Sequence, residues 1–207
     1  MIGIVDYNAG NITSVERALK SLNIDYILSK NPDDLKNCTK IIFPGVGEAS
    51  FAMEQLKKTG FDNFLIDWAK SNKEILGICL GSQIIFDFSE EGNVDCLGLV
   101  KGKISHFTTI DSSLVQKGYK IPQIGWNNLD RKKGECPILK DVPENADFYF
   151  VHSFVICPED DSVIKATADY GIKVPAVIQS GSVYACQFHP EKSGEAGLKI
   201  LKNFCEN

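Results

Sequence analysis

Glu74-Ile75-Leu76-Gly77-Ile78-Cys79-Leu80-Gly81-Ser82-Gln83 is the stretch on which the fold turns. Glu74–Cys79 is a short apolar run that reads as a strand, and it passes directly into a helix-like segment over Ser82–Phe88. A strand that feeds a helix without a long loop belongs to a βαβ arrangement. The residues before it repeat the alternation. Ile2–Tyr7 reads as a buried strand, followed by the loop Asn8-Ala9-Gly10-Asn11, with Asn11 placed to cap a helix. Ile12, Val15, Leu19 and Leu22 then recur at spacings of three and four, one face of that helix. Strands are expected at Ile24–Leu28 and at Lys40–Phe43, the latter stopped by Pro44-Gly45, and helices at Glu48–Lys58 and Asp62–Ser71. Such alternation predicts a largely parallel sheet with helices on both faces.

Beyond residue 90 the pattern changes. Leu99–Phe107, Asp147–Val151, Val163–Ala168, Val174–Gln179 and Val183–Phe188 read as strands joined by Gly, Pro and Asp turns, with Gly125-Trp126-Asn127 as one such turn. A helix over Gly194–Phe204 closes the chain. There is no repeat, low-complexity tract or dividing linker. We therefore expect a single α/β domain over 1–207, its parallel sheet carrying a mixed-strand extension.

Composition narrows the function classes. The chain has 207 residues, 43% of them hydrophobic and 10% aromatic, which suits one packed core and excludes disorder. With 22 basic against 27 acidic residues and no basic stripe, nucleic acid is not an expected partner. The opening MIGIVDYNAGN has neither the basic nor the long apolar region of a secretory leader, and no apolar stretch would span a bilayer. We expect a cytoplasmic protein without a membrane partner. Seven cysteines, an odd number with no C-x-x-C pair, do not read as a disulfide framework. His106, His152 and His189 lie too far apart in sequence for a zinc motif. No metal or cofactor is expected.

Chemistry concentrates in G-x-C-x-G. A nucleophile on a sharp strand-to-helix turn needs small neighbours, which Gly77 and Gly81 supply. The N-terminus of a following helix would favour an anionic sulfur on Cys79. Taken alone, the pattern is equally that of a structural cysteine buried in a strand. A base must come from elsewhere, and His189 in Gln187-Phe188-His189-Pro190-Glu191 ends an apolar strand with a carboxylate two residues on. Glu191 could fix the imidazole tautomer and leave the other ring nitrogen for the thiol. Phe43-Pro44-Gly45-Val46-Gly47 offers backbone N–H groups for an oxyanion, with the N–H of Leu80 as a second donor. By itself P-G-x-G is an ordinary turn.

With these residues in view, the sequence resembles the class I glutamine amidotransferases, and among them the glutaminase subunits of imidazole glycerol phosphate synthase. The likeness runs nearly end to end, through Ile4-Val5-Asp6-Tyr7 with Gly10-Asn11, Pro44-Gly45-Val46-Gly47, Gly77–Gln83, Pro122–Asn127, Tyr149–Phe154 and Gln187–Ser193. It implies a Cys79–His189–Glu191 triad that attacks the glutamine side-chain amide and releases ammonia. It further implies substrate or oxyanion contacts at Val46, Gly47, Leu80, Gln83, Ser153 and Phe154, with His152 structural or interfacial. The implied partner is a (β/α)8 synthase subunit that uses the ammonia to make imidazole glycerol phosphate and AICAR. Asn11, Trp126, Tyr149 and Lys192 are the expected docking residues. Ser82, Phe154 and Gln123 stand where the family usually has Met, Tyr and His. A related subunit that feeds ammonia to a sugar-amidating synthase is the alternative.

Overall fold

A computed structural model describes residues 1–8, 12–132 and 134–207. The first half runs β1 (Ile2–Val5), α1 (Ile12–Ser21), β2 (Tyr26–Ser29), α2 (Pro32–Leu35), β3 (Lys40–Gly45), α3 (Ala49–Thr59), α4 (Phe61–Lys70), β4 (Glu74–Cys79) and α5 (Leu80–Gln83). The second half runs β5 (Phe88–Ser89), β6 (Val94–Asp95), β7 (Gly102–His106), α6 (Phe107–Ile110), β8 (Gln123–Asn128), β9 (Asp130–Arg131), β10 (Asp147–His152), β11 (Phe154–Pro158), β12 (Ile164–Asp169), β13 (Lys173–Ser180), β14 (Val183–Cys186) and α7 (Gly194–Glu206).

The main sheet has the order β2-β1-β3-β4-β14-β13-β12-β9. Its first five strands pair in parallel and the last three antiparallel. Helices cover both faces because the strands are apolar on both. Ile41, Phe43 and Ile75 pack towards α3 and α4, against Leu56, Phe61 and Leu65. Ile42, Leu76 and Ile78 point the other way, towards α1 and α7, against Leu19, Ile200 and Phe204. Strands buried on both sides read as continuous apolar runs, which is why the parallel half is evident from sequence.

Four sequence expectations need correction. β3 does not stop before Pro44 and Gly45; they pair with Ile78 and Cys79. Pairing of β3 with β1 ends at Ile42, so beyond it Pro44 forfeits no ladder bond on that side. The helix expected over Ser82–Phe88 is a single turn that starts at Leu80. Ile84, Ile85 and Phe86 are wholly buried, and their carbonyls accept from Leu97, from Leu99 and Val100, and from Gly98 instead of from helical N–H groups. Gly125-Trp126-Asn127 is no turn but the middle of β8, paired with Phe150, Tyr149 and Phe148 of β10. The mixed extension is also only partly continuous with the main sheet. β10 and β8 form a separate ribbon, and β11-β7-β5-β6 a separate four-stranded sheet. The expected cap at Asn11 lies outside the described residues. No helix among the described residues is long and apolar enough to cross a membrane.

Lys40 fastens the last helix to the sheet. Its Nζ lies 2.6 Å from Glu74 Oε2 and donates to the main-chain oxygens of Phe204 (2.8 Å) and Asn207 (2.5 Å), with the side chain only 10% exposed. A cation at a helix C-terminus is favourably placed. Lys40→Met should therefore lower the unfolding free energy by about 1.5–3 kcal/mol, the worth of hydrogen bonds to a charged group. Urea denaturation measures this.

Candidate active site

Cys79 occupies φ 54°, ψ −111°, a left-side conformation that costs a non-glycine residue about 1–3 kcal/mol. The surrounding glycines hold it there. A Cβ at Gly81 would stand 2.0 Å from the Phe43 carbonyl oxygen, and one at Gly77 would stand 2.7 Å from the Gly81 oxygen. The chain can double back against β3 only because neither side chain exists. Cys79 ends up 7% exposed, its S–H directed at the Val151 carbonyl oxygen at 3.9 Å. α5 is too short to supply much of a macrodipole. Its local contribution is the N–H of Leu80, which as the first helical residue has no intrahelical acceptor.

His189 and Glu191 meet Cys79 from the other side. His189 Nδ1 lies 2.7 Å from Glu191 Oε1, with the two side chains 3% and 2% exposed. The other ring nitrogen is left for Cys79, which is near enough to raise the pKa of the ring. The backbone here is clamped: the N–H of His189 donates to Tyr149 O (2.9 Å), Ser193 Oγ donates to His189 O (2.6 Å), and the N–H of Tyr149 donates to Ser193 Oγ (3.0 Å). Burial by itself lowers the His189 pKa. The hydrogen bonds to Cys79 and Glu191 and the negative charge there outweigh it, and the group is pushed up to about 9.

The expected substrate contacts gather around the sulfur. Val46 and Gly47 leave β3 just beyond Gly45, the residue paired with Cys79, and Gly47 holds φ 96°. Ser153 and Phe154 follow β10, whose Val151 carbonyl faces the thiol. Gln83 is buried, its Nε2 donating to Phe154 O (3.0 Å) and Gln187 Oε1 (2.9 Å). It ties the lining together from beneath. Of the residues expected to dock a partner, Trp126, Tyr149 and Lys192 form one group. The Trp126 and Tyr149 rings are 5.8 Å apart, Lys192 Nζ is 6.0 Å from the Tyr149 ring, and that ring is 6.3 Å from His189. Trp126 is 55% exposed, so it is not a core aromatic. Asn11 again lies outside the described residues.

Residues 3–207 match the model of the glutamine amidotransferase class-I family. The chain belongs to that family. This amidotransferase is 44% identical over 205 residues to "Imidazole glycerol phosphate synthase subunit HisH" of Geobacillus sp. (strain WCH70), covering 99% of the chain and 95% of that protein. It is 43% identical over 207 residues to the protein of the same name from Caldanaerobacter subterraneus subsp. tengcongensis, covering 100% and 98%. Among solved structures, a glutamine amidotransferase superposes with a TM-score of 0.73 at 17% identity, covering 98% of each chain. PurLQS from Thermotoga maritima superposes with a TM-score of 0.72 at 20% identity, covering 98% and 96%. These two share the fold.

Several residues of the amidotransferase site escaped the sequence reading. Ser193 and Gln187 flank the His189 motif, where only the histidine and glutamate had an obvious chemical role. Glu91 carries no motif in the sequence, and its Oε2 accepts from the N–H of Ala49 (3.0 Å), tying the segment after the Cys79 turn to the one after Gly47. Tyr7 is fully buried, and its hydroxyl has no hydrogen-bond partner among the described residues. A Cβ at Gly45 would stand 2.5 Å from that hydroxyl.

Two outcomes follow from the geometry. Gly81→Ala should destabilise the fold by about 1–3 kcal/mol or more, as overpacking does, and thermal denaturation reads it. By NMR titration, His189 should have its midpoint near 9, and both Cys79→Ala and Glu191→Gln should move that midpoint down. Because the folded value lies above the ordinary 6.5, stability from this group is fully present below pH 6.5 and is lost as pH rises through 9. A midpoint unmoved by either substitution would contradict the pairing.

Proposed function

We propose that this chain is the glutaminase subunit of an imidazole glycerol phosphate synthase. The observation that carries the reading is Cys79 on its strained turn, against a buried His189–Glu191 pair 2.7 Å apart. The names borne by relatives matching nearly the full chain support the choice of pathway over sugar amidation.

The chemistry follows from the atoms in place. The sulfur of Cys79 attacks the side-chain carboxamide carbon of glutamine, forming a C–S bond. The negative charge that develops on the carboxamide oxygen is met by the N–H groups of Leu80 and Gly47. His189 holds the proton and gives it to the departing nitrogen, so the C–N bond breaks and ammonia leaves. Water, deprotonated by the same imidazole, then hydrolyses the thioester to glutamate. Glu191 keeps the ring oriented and stabilises its charged form without taking the proton. Ser153, Phe154, Val46 and Gln83 shape the pocket around the substrate.

Ammonia released to water would be wasted, so the reading includes a (β/α)8 synthase partner, in the cytoplasm, docked where Trp126, Tyr149 and Lys192 cluster beside His189. Ile124, 62% exposed on the same strand as Trp126, extends that apolar face. A half-exposed tryptophan next to an aromatic partner has the character of an interface anchor.

Cys79→Ala should abolish glutamine hydrolysis while leaving ammonium-dependent turnover by the partner intact. His189→Ala should lose nearly as much, and Glu191→Gln less. Retained hydrolysis in Cys79→Ala would sink the triad. Hydrolysis by the purified chain should be low and rise on adding the barrel subunit, with Trp126→Ala weakening the response. Full turnover alone, indifferent to the partner, would mean a free-standing glutaminase.

A further inference from the structure

A second histidine lies buried beside the first, and the triad makes no use of it. His152 ends β10 at 6% exposure, its ring between those of Phe107 (5.3 Å) and Phe150 (5.8 Å). Both its ring nitrogens are engaged: Nδ1 lies 2.7 Å from Phe154 O, and Nε2 lies 3.0 Å from Gln123 Oε1. Neither nitrogen is left to face Cys79, so the geometry gives His152 no proton to exchange with the sulfur.

Its proton is fixed by its partners. A carbonyl oxygen only accepts, so Nδ1 carries the hydrogen. Burial pushes the ring down to about 4, which keeps it neutral at physiological pH. Nε2 is then an acceptor. For Gln123 to present an N–H there its amide must flip, which gives up the 2.9 Å bond that its Nε2 makes to Asn127 Oδ1.

The acceptor of that Nδ1–H is a junction. Phe154 O also accepts from Gln83 Nε2 at 3.0 Å, and the same Gln83 nitrogen donates to Gln187 Oε1. Gln83 sits in the turn that follows Cys79, and Gln187 lies two residues before His189. One carbonyl at the start of β11 is thus linked to the nucleophile turn and to the segment bearing the base. His152 anchors it from a third side, through Gln123, to β8.

Accepting glutamine hydrolysis at Cys79 as proposed above, we propose that His152 is a positioning residue for glutamine binding, holding the Phe154 carbonyl and thereby Gln83 in register with the nucleophile turn. It transfers no proton in the reaction. Removing it loosens the substrate-lining segment and leaves the triad in place, so the loss falls on KM and not on kcat.

Steady-state glutamine hydrolysis in the complex with the barrel partner tests this, using His152→Leu, His152→Asn and Gln123→Leu. His152→Leu should raise KM about tenfold, the worth of one buried hydrogen bond, with kcat within about threefold. The shape of the pH profile should not change. Asn can place an N–H near the former Nδ1 and should recover most of the native KM. Gln123→Leu leaves Nε2 unpaired and should raise KM by a smaller factor. If His152→Leu fails to fold, the other two variants decide by the same criteria. A fall in kcat at unchanged KM, or loss of a limb of the pH profile, would make His152 a proton carrier and overturn the proposal. An unchanged KM, or an Asn variant as impaired as the Leu variant, would reduce it to core filling and equally overturn it. Hydrolysis that survives Cys79→Ala would instead count against the function proposed for Cys79.

Discussion

Two strands and one helical turn approach each other more closely than side chains allow, and the site is a consequence of that contact. β3, β4 and α5 meet where Gly45, Gly77 and Gly81 stand, and a Cβ at any of the three would fall within 2.9 Å of a neighbouring atom. This approach lets the chain reverse immediately after Cys79 and holds its backbone at positive φ. The strain is affordable because β4 is central, paired with β3 on one side and β14 on the other. Parallel pairing then brings the chain emerging from β1, β3, β4 and β14 to one edge. Tyr7, Gly47, Cys79 and His189 all lie at or just beyond those strand ends.

The two small sheets close this edge. β10 supplies the Val151 carbonyl to the thiol and the Tyr149 carbonyl to the N–H of His189, so its ribbon with β8 rests on both halves of the proposed triad. Trp126 and Ile124 are exposed on that same ribbon. The surface proposed for docking and the wall of the catalytic site are therefore two sides of one strand pair.

Burial around Cys79, His189 and Glu191 leaves polar atoms without protein partners among the described residues: the Tyr7 hydroxyl, Gln187 Nε2 and Glu191 Oε2. Each such group costs about 1–3 kcal/mol. Native cores hold few of these, so three at one site mark a place where stability yields to function. The pKa of His189 obeys the same balance. Desolvation opposes its charge, and only the adjacent carboxylate and sulfur reverse that.

Local physics made much of this legible in the sequence. Apolar runs buried on both faces announce a parallel sheet, and, α2 apart, the elements from β1 to β4 fall close to where periodicity puts them. Cys79 between two glycines, and His189 two residues before Glu191, are near neighbours in the chain, so their chemistry could be read there. What tertiary structure alone decided depends on contacts between distant segments. Ile84–Phe86 are apolar enough for a helix, but their carbonyls are taken by the chain near residue 98. Gly125-Trp126-Asn127 has the composition of a turn and becomes a strand because β10 pairs with it. His152, Gln123, Gln83 and Gln187 are ordinary polar residues in sequence, and only the fold brings them to one buried carbonyl. A hydrogen bond between residues 71 or 104 positions apart, as Gln83 makes to Phe154 and to Gln187, leaves no periodic trace in the sequence because it is set by packing and not by spacing.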